Sequence, residues 1–441
     1  MKKKMKNSGI EWVGEIPDNW KIERMKSCIA LREGGAWGEE ETGDSDTVCL
    51  RVADFDYDRF VFKNTSISAL TKRHYSKSTV AKLKLLKGDI VIEKSGGGDK
   101  TPVGRTVIFD KDYVALFANF MDRLRCCAFV YPKFMQYIFV TFYKNQYTRN
   151  YIKQTTGIQN LDLSLMLNRE HVPMPPIEEQ KAIAGFLDKK CGEVDALIAD
   201  IQQEIETLEQ YKRSVITEAV TKGLDPSVPM KDSGIDWLGM QPVQWEHYKG
   251  KYIFKQRNER GNQIELQLLS PTQNYGVIPQ TMYEELSGMN AVKLNERTDL
   301  NFLKTIHKGD YCISLRSFQG GFEYSQYEGV VSPAYQVFYP TRAICEEYYK
   351  YLFKEKSFIA VMNSYTLSLR DGKNIAFSDF GNTMIPYPPI EEQRQIADYL
   401  DKKCKEIEEI ISDKQSQIET LESYKKSLIY EYVTGKKEVI A

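Results

Sequence analysis

The residue types that could do chemistry fall in a few short stretches. Asp89-x-x-x-Glu93-Lys94 offers the carboxylates and lysine of a metal-dependent nuclease. That chemistry needs the lysine and the glutamate on one strand face, and adjacent residues of a strand point to opposite faces. Gly96-Gly97-Gly98-Asp99-Lys100-Thr101 ends in Lys-Thr like a phosphate-cradling loop, but Asp99 stands where that loop requires glycine and sets a negative charge beside the phosphates. Phe318-Gln-Gly-Gly-Phe322 lacks the spacing of a dinucleotide turn. Met174 and Tyr387 precede the Pro-Pro pairs where an amino-methyltransferase carries Asn or Asp. Histidines 74, 171, 247 and 307 are scattered, and the eight cysteines form no C-x-x-C, so neither a zinc site nor a disulfide framework is expected.

The elements around these stretches are written twice. MKNSGIEWVGEIPDNW at 5–20 returns as MKDSGIDWLGMQPVQW at 230–245, and PPIEEQ at 175–180 returns at 388–393. Roughly three positions in five from Pro173 to Thr221 are identical to Pro386 to Thr434. Between the copied parts lie two unlike inserts, Trp20 to Pro173 and Trp245 to Pro386, which share little beyond KGD at 87–89 and 308–310. A duplicated frame around different inserts implies one machine with two reading heads.

The chain has 441 residues, 42% of them hydrophobic, enough for more than one globular domain. MKKKMK is followed by polar residues and no apolar stretch reaches membrane length, so a soluble, cytoplasmic protein without a membrane anchor is expected. The net charge of −1 is unevenly spread: residues 1–172 carry 28 Lys/Arg against 21 Asp/Glu, and 173–229 carry 6 against 11. Residues 230–385 balance at 17 each, and 386–441 carry 9 against 12. The first insert alone is basic, and DNA binding would draw part of its phosphate attraction from partner chains.

Ile177 to Thr221 reads as one long helix, with a seam at Leu187, Val194, Ile201, Leu208 and Val215 and a second seam position at Cys191, Ile198 and Ile205. The second copy keeps it at Leu400, Ile407, Leu421 and Leu428 with Cys404, Ile411 and Ile418, and Lys414 as a polar intruder. Two such stripes most simply pack on each other. About 44 residues at ~1.5 Å each make a rod of ~66 Å, comparable to ~19 base pairs. Helix stop signals follow in Gly223 to Pro229. Strands are expected at 86–93, 103–109, 126–131, 311–315 and 334–339, and helices at 134–152 and 346–362. The fold class is thus α+β: two mixed α/β domains, 1–172 and 230–385, separated and joined by two long helices in 173–229 and 386–441, packed as an antiparallel coiled coil.

Ser8-Gly9-Ile10-Glu11-Trp12, Ser233-Gly234-Ile235-Asp236-Trp237 and the doubled PPIEEQ, taken together over nearly the whole chain, resemble the specificity subunits of type I restriction-modification systems. Lys94-Ser-Gly-Gly-Gly98 with Pro102-Val-Gly-Arg105 also looks like a recurrent element of their DNA-reading domains; the second insert has Leu315-Arg-Ser-Phe-Gln-Gly-Gly321 in its place. The resemblance implies that each insert is a target-recognition domain reading one half of a bipartite site in double-stranded DNA, with the paired helices setting the spacer. It implies a non-catalytic chain that joins two modification subunits and the translocating restriction subunits. S-adenosylmethionine, ATP and Mg then belong to those partners, and this chain binds no cofactor. Its work is to place a partner's pocket at the adenine to be flipped out.

Direct base readout favours Arg, Lys, Asn and Gln on loops beside glycine, where backbone approaches DNA closely. The candidates are Lys94, Ser95, Gly96, Gly97, Lys100 and Arg105, then Thr155, Gln159 and Asn160, in the first insert. In the second they are Arg316, Ser317 and Gln319, then Arg370, Lys373 and Asn374. For each, the plain alternative is a solvated loop residue. Trp12, Trp20, Trp237 and Trp245 recur in both copies, where specificity should differ, and are expected in cores. Glu178, Glu179, Glu391 and Glu392 complement the helix N-termini or meet a partner. A methyltransferase or nuclease fused to its own reader is the competing enzyme reading, but no stretch of the needed ~150 residues is left over. A structural coiled-coil adaptor is the third, separable by salt-dependent DNA binding in the presence of partners.

Overall fold

The computed structural model describes residues 4–43, 46–155, 157–260, 266–273, 275–288, 302–313, 321–365 and 375–439. The chain divides into two compact units, Met1–Gln203 with Lys414–Ala441, and Glu204–Asp413. The division falls within both long helices, Ile177–Lys222 and Ile390–Val433.

Each long helix begins after Pro-Pro, with two glutamates in its first turn to complement the exposed amides. The seam read from the sequence is the face that packs. Leu187, Val194, Ile205, Leu400, Ile407, Ile418 and Leu428 are buried, and Ile198, Ile201, Leu208, Ile411 and Leu421 are half-buried. Each fully buried aliphatic contributes about 1.5–3 kcal/mol. The pairing is antiparallel in both units. In the first, Phe186 stacks on Tyr432 with ring centroids 4.5 Å apart, while Asp195, two turns on, meets Lys425 at 2.6 Å. In the second, Lys212 pairs with Glu408 and Gly223 lies against Glu392.

The copied opening builds the same hairpin twice, Met5–Asn7 with Glu15–Pro17 and Met230–Asp232 with Met240–Pro242. Asn7 accepts the amide of Gly9 at 2.8 Å, and Asp232 accepts that of Gly234 at 2.9 Å, so Asn and Asp serve alike. The strand after each hairpin pairs antiparallel with the strand before each long helix: Lys21–Arg24 with His171–Met174, and Glu246–Lys249 with Met384–Tyr387. Trp12, Trp20 and Trp245 are buried; Trp237 is half-buried and donates to the Met384 carbonyl at 3.1 Å.

The glutamine of PPIEEQ ties each long helix to its insert. Gln180 Oε1 accepts the Tyr131 amide at 2.7 Å, while Nε2 donates to the carbonyls of Phe129 (3.0 Å) and Pro175 (2.9 Å). Gln393 accepts the Cys345 amide at 2.8 Å and donates to Pro388 at 2.8 Å. About two helix turns further, in each copy of Leu-Asp-Lys-Lys-Cys, the aspartate takes a tyrosine hydroxyl: Tyr137 to Asp188 at 2.7 Å, Tyr351 to Asp401 at 2.5 Å. The copied residues are therefore the fasteners between helix and head.

The first insert carries a six-stranded sheet in the order Ile29–Gly34, Met121–Cys126, Ile90–Glu93, Thr106–Ile108, Val61–Phe62, Phe55–Asp56. The second carries a four-stranded sheet in the order Phe254–Gln256, Gln336–Pro340, Tyr311–Ile313, Phe322–Tyr324. The shared KGD begins the strand Ile90–Glu93 in one insert and Tyr311–Ile313 in the other. Its glycine has φ +91° at Gly88 and +92° at Gly309, and its aspartate holds an arginine with both oxygens: Asp89 with Arg125 (2.7 and 2.7 Å), Asp310 with Arg257 (2.6 and 3.0 Å).

Three expectations need correction. Cys126 to Tyr131 is not a strand; the strand is Met121–Cys126, hidden from a hydrophobic reading because Asp122, Arg123 and Arg125 lie in it, each partnered indoors. The helix expected over 134–152 is Pro132–Lys144, stopped by Gln146 in the left-handed region, and a short 3-10 turn Tyr147–Tyr151 follows. The helix expected over 346–362 is two, Glu346–Leu352 and Lys356–Ser364, because Glu355 caps the second by accepting the Phe358 amide at 2.7 Å.

Candidate nucleic-acid interface

The strand Ile90–Glu93 runs through the interior and delivers alternate residues to two different networks. Glu93, almost wholly buried, is gripped by Arg105 at 2.7 and 3.0 Å, and the guanidinium lies 3.7 Å over the ring of Tyr57. Burial raises the Glu93 carboxyl, and Arg105 only partly offsets it; burial alone would lower Arg105, but Glu93 outweighs this and holds it above its ordinary range. Lys94 points the other way, to Asp122 Oδ1 at 2.6 Å, while Asp122 Oδ2 takes Arg32 Nε at 2.6 Å. Asp89, Glu93 and Lys94 thus have three separate partners and do not converge as a cleavage site would require. Among the described residues no group of three or more His, Cys, Asp or Glu side chains is placed to hold a metal ion.

One buried carboxylate serving both Arg32 and Lys94 leaves that surface with a positive balance. The amides of Lys94 and Ser95 donate to the carbonyl of Phe120 at 2.9 and 3.2 Å, and the Phe120 ring is 52% exposed. Ser95–Gly96 pairs antiparallel with Ile158–Leu161, and Ser95 Oγ donates to Asn160 Oδ1 at 2.7 Å. Beyond them the chain turns sharply, with Gly98 donating to Thr101 at 3.0 Å. Gly97 has φ +59°, and a Cβ there would lie 2.8 Å from the Thr101 carbonyl and 2.9 Å from the Val103 amide nitrogen, so the turn needs glycine. The strands Ile152–Thr155 and Ile158–Leu161 form a hairpin with exposed Gly157 and Ile158 at its tip.

The sequence-derived candidates divide accordingly. Lys94, Ser95, Gly96, Gly97, Lys100 and Asn160 lie together on this surface, Gly97, Lys100 and Asn160 exposed and the others half-buried, and Thr155 ends the neighbouring strand. Arg105 and Gln159 lie beneath it: Arg105 is committed to Glu93, and buried Gln159 accepts the Val103 amide at 3.3 Å. Sequence reasoning missed Arg32, Asp122 and Phe120. The usable signal was an Asp in a strand that also needed covering, with two cations able to reach it. Arg316, Ser317, Gln319, Arg370, Lys373 and Asn374 lie outside the described residues. They follow and precede described elements of the second unit: Tyr311–Ile313 and Phe322–Tyr324 there occupy the sequence positions that flank the glycine loop in the first. Glu323, almost wholly buried in that second sheet, meets Lys354 at 2.6 Å and has its carboxyl pushed up to about 7 by burial, against the pull of Lys354.

A second kind of surface recurs on the long helices. In the first unit Lys190 pairs with Glu193 at 2.7 Å, the Tyr424 and Tyr432 phenols lie near it, and Leu197 shares its helical face. Leu197 is 52% and Tyr424 51% exposed. In the second unit Lys403 pairs with Glu406 at 3.2 Å near Tyr211 and Tyr399, with Ile410 on its face. Every one of these five sits at the position the duplication assigns to its counterpart, except Tyr399, whose counterpart is Phe186. Among the described residues no helix is long and apolar enough to cross a membrane.

A family profile described as the type I restriction modification DNA specificity domain matches residues 56–207 and again 242–420. The chain is 28% identical over 68% of its length to 70% of the type I restriction enzyme MjaVIII specificity subunit of Methanocaldococcus jannaschii. It is 22% identical over 87% of its length to 82% of the type I restriction enzyme EcoKI specificity subunit of Escherichia coli strain K12. Its fold superimposes with a TM-score of 0.66, at 15% identity, over 96% of this chain and 99% of a chain from a structure described as the basis of complex assembly and conformational transition of the type I R-M system.

Proposed function

This chain belongs to the type I restriction-modification DNA specificity family, and from that premise we propose that its two inserts read different half-sites of one bipartite DNA target. The observation that carries this is the pairing of a copied frame with unlike heads: the hairpins, the glutamine ties, the helix seam and the order of the four central strands repeat, whereas the sequences of the inserts do not, and the first sheet adds two short strands, Val61–Phe62 and Phe55–Asp56. In the first head the Arg32–Asp122–Lys94 cluster and Lys100 supply phosphate contacts, and Ser95, Asn160 and the backbone of Gly96–Gly97 meet base edges. Exposed Phe120 and Ile158 offer apolar contact to thymine methyls or unstacked bases. The paired helices set the unread gap.

The chain contributes no catalytic group of its own on this reading. Methyl transfer, with S-adenosylmethionine, and ATP-driven translocation with Mg reside on partner subunits. Two modification subunits are supported by the two equivalent tyrosine–aliphatic patches, one per unit, since equal surfaces accept equal partners. Purified chain incubated with labelled S-adenosylmethionine and target DNA should transfer no methyl group until modification subunits are added. Transfer by the pure chain would overturn the non-catalytic reading.

A further inference from the structure

Lys425 occupies a seam position of the second long helix where an aliphatic residue would be expected, and only 7% of it is exposed. Its ammonium meets Asp195 of the first long helix at 2.6 Å, donates to the main-chain carbonyl of Asp58 at 2.5 Å, and lies 5.0 Å from the ring centroid of Phe60. Its counterpart by duplication is Lys212, and that of Asp195 is Glu408. Those two also pair, but the Lys212 side chain is 28% and that of Glu408 60% exposed. One ion pair of the frame has thus been recruited by the first head.

The segment it holds is specially built. Phe60 has φ +60°, a conformation costly for a residue with a bulky side chain and kept only where surroundings enforce it. Its carbonyl takes the amide of Ile108 at 3.2 Å and the side-chain amide of Gln136. Three residues earlier is Tyr57, whose ring lies under Arg105; Arg105 grips Glu93, and Glu93 is covalently followed by Lys94 and the glycine loop. A continuous set of contacts therefore runs from the helix pair to the surface assigned to the DNA.

We propose that Lys425 is a positioning residue for first-half-site recognition: by fixing Asp58–Phe60 to the helix pair it holds Tyr57, Arg105 and hence the Lys94–Gly98 loop in reading position. This rests on the reading of that loop as a DNA contact. The test uses the complete complex with modification subunits and DNA duplexes carrying single mismatched base pairs in either half-site. For Lys425→Met, discrimination against first-half-site mismatches should fall roughly tenfold. Discrimination in the second half-site should stay even though the melting temperature falls, since Lys425→Met leaves Asp195, 14% exposed at its side chain, without its counterion. Lys425→Arg should restore discrimination, and Phe60→Leu, which removes the ring without touching the helix pair, should lose it. Undiminished discrimination in both Lys425→Met and Phe60→Leu, or equal loss in both half-sites, overturns the proposal. Lys94→Ala and Gly97→Val run alongside. If they flatten the first half-site while Lys425→Met does not, only the positioning role fails; if they too have no effect, the loop is not at the DNA and the reading beneath it fails.

Discussion

Gln180 receives the main-chain amide of Tyr131 at 2.7 Å, and in the other unit Gln393 receives that of Cys345 at 2.8 Å. Tyr131 and Cys345 each stand immediately before a helix of their insert, Pro132–Lys144 and Glu346–Leu352. Two inserts with unlike sequences thus present the same backbone amide to the same glutamine. A frame that fastens through main-chain groups tolerates almost any side chains in the head, which is what interchangeable recognition requires.

Gln180→Ala strands the half-buried Tyr131 amide and the buried Pro175 carbonyl, and releases the carbonyl of the more exposed Phe129. The expected cost is about 1–3 kcal/mol of unfolding free energy. Urea denaturation followed by tryptophan fluorescence checks it, and Gln393→Ala should cost a similar amount.

Arg105 and Lys94 should separate by what they damage. Arg105→Ala leaves Glu93, 1% exposed at its side chain, without its counterion and should cost about 3–5 kcal/mol of stability. Lys94→Ala leaves Asp122 still paired with Arg32, so stability should hold while DNA affinity falls by about 1–3 kcal/mol. Thermal melts and salt-titrated DNA binding on the same samples distinguish the two; an Arg105→Ala protein as stable as wild type would contradict the buried-pair assignment.

Glu323 gives the second unit a pH dependence. Its carboxyl titrates near pH 7 when folded, against an ordinary value of 4.5, because burial outweighs Lys354. The folded state therefore binds the proton more tightly, and this group's contribution to stability is full below about pH 4.5 and is lost as pH rises through 7. Glu323→Gln, which is neutral throughout, should raise the melting temperature at pH 8 and leave it little changed at pH 5. A wild-type and variant difference that grows towards acid pH would contradict the assignment.

Tyr424→Ala and Tyr211→Ala remove the exposed phenols of the two helix patches, one in each unit. Neither side chain is in the seam, so the fold should be kept. Native mass spectrometry should show each single variant holding one modification subunit firmly and the double variant holding neither; unchanged stoichiometry in the double variant would place partner binding elsewhere.

The frame was legible in the sequence because it is written in period and repetition. Heptad spacing located the first long helix, Ile177–Lys222, to within a residue, and doubled motifs located its copy and the hairpins. The heads were harder to read. Met121–Cys126, a strand at the heart of the first sheet, carries Asp122, Arg123 and Arg125, whose charges are satisfied only by partners far along the chain. The same long-range pairing separates Arg105 from Lys94: both stand beside glycines, but Glu93 takes one inward and Asp122 holds the other at the surface. Lys425 escaped because nothing local distinguishes a lysine facing Phe60 from one facing water.

The central claim is that each head reads its own half-site. Residues between Trp20 and Pro173 can be exchanged for the corresponding insert of another family member and the complex introduced into a host lacking other methylation. Sequencing of methylated adenines should then show one half-site replaced and the other unchanged, with the same gap between them. Replacement of both half-sites, or of neither, would contradict the account.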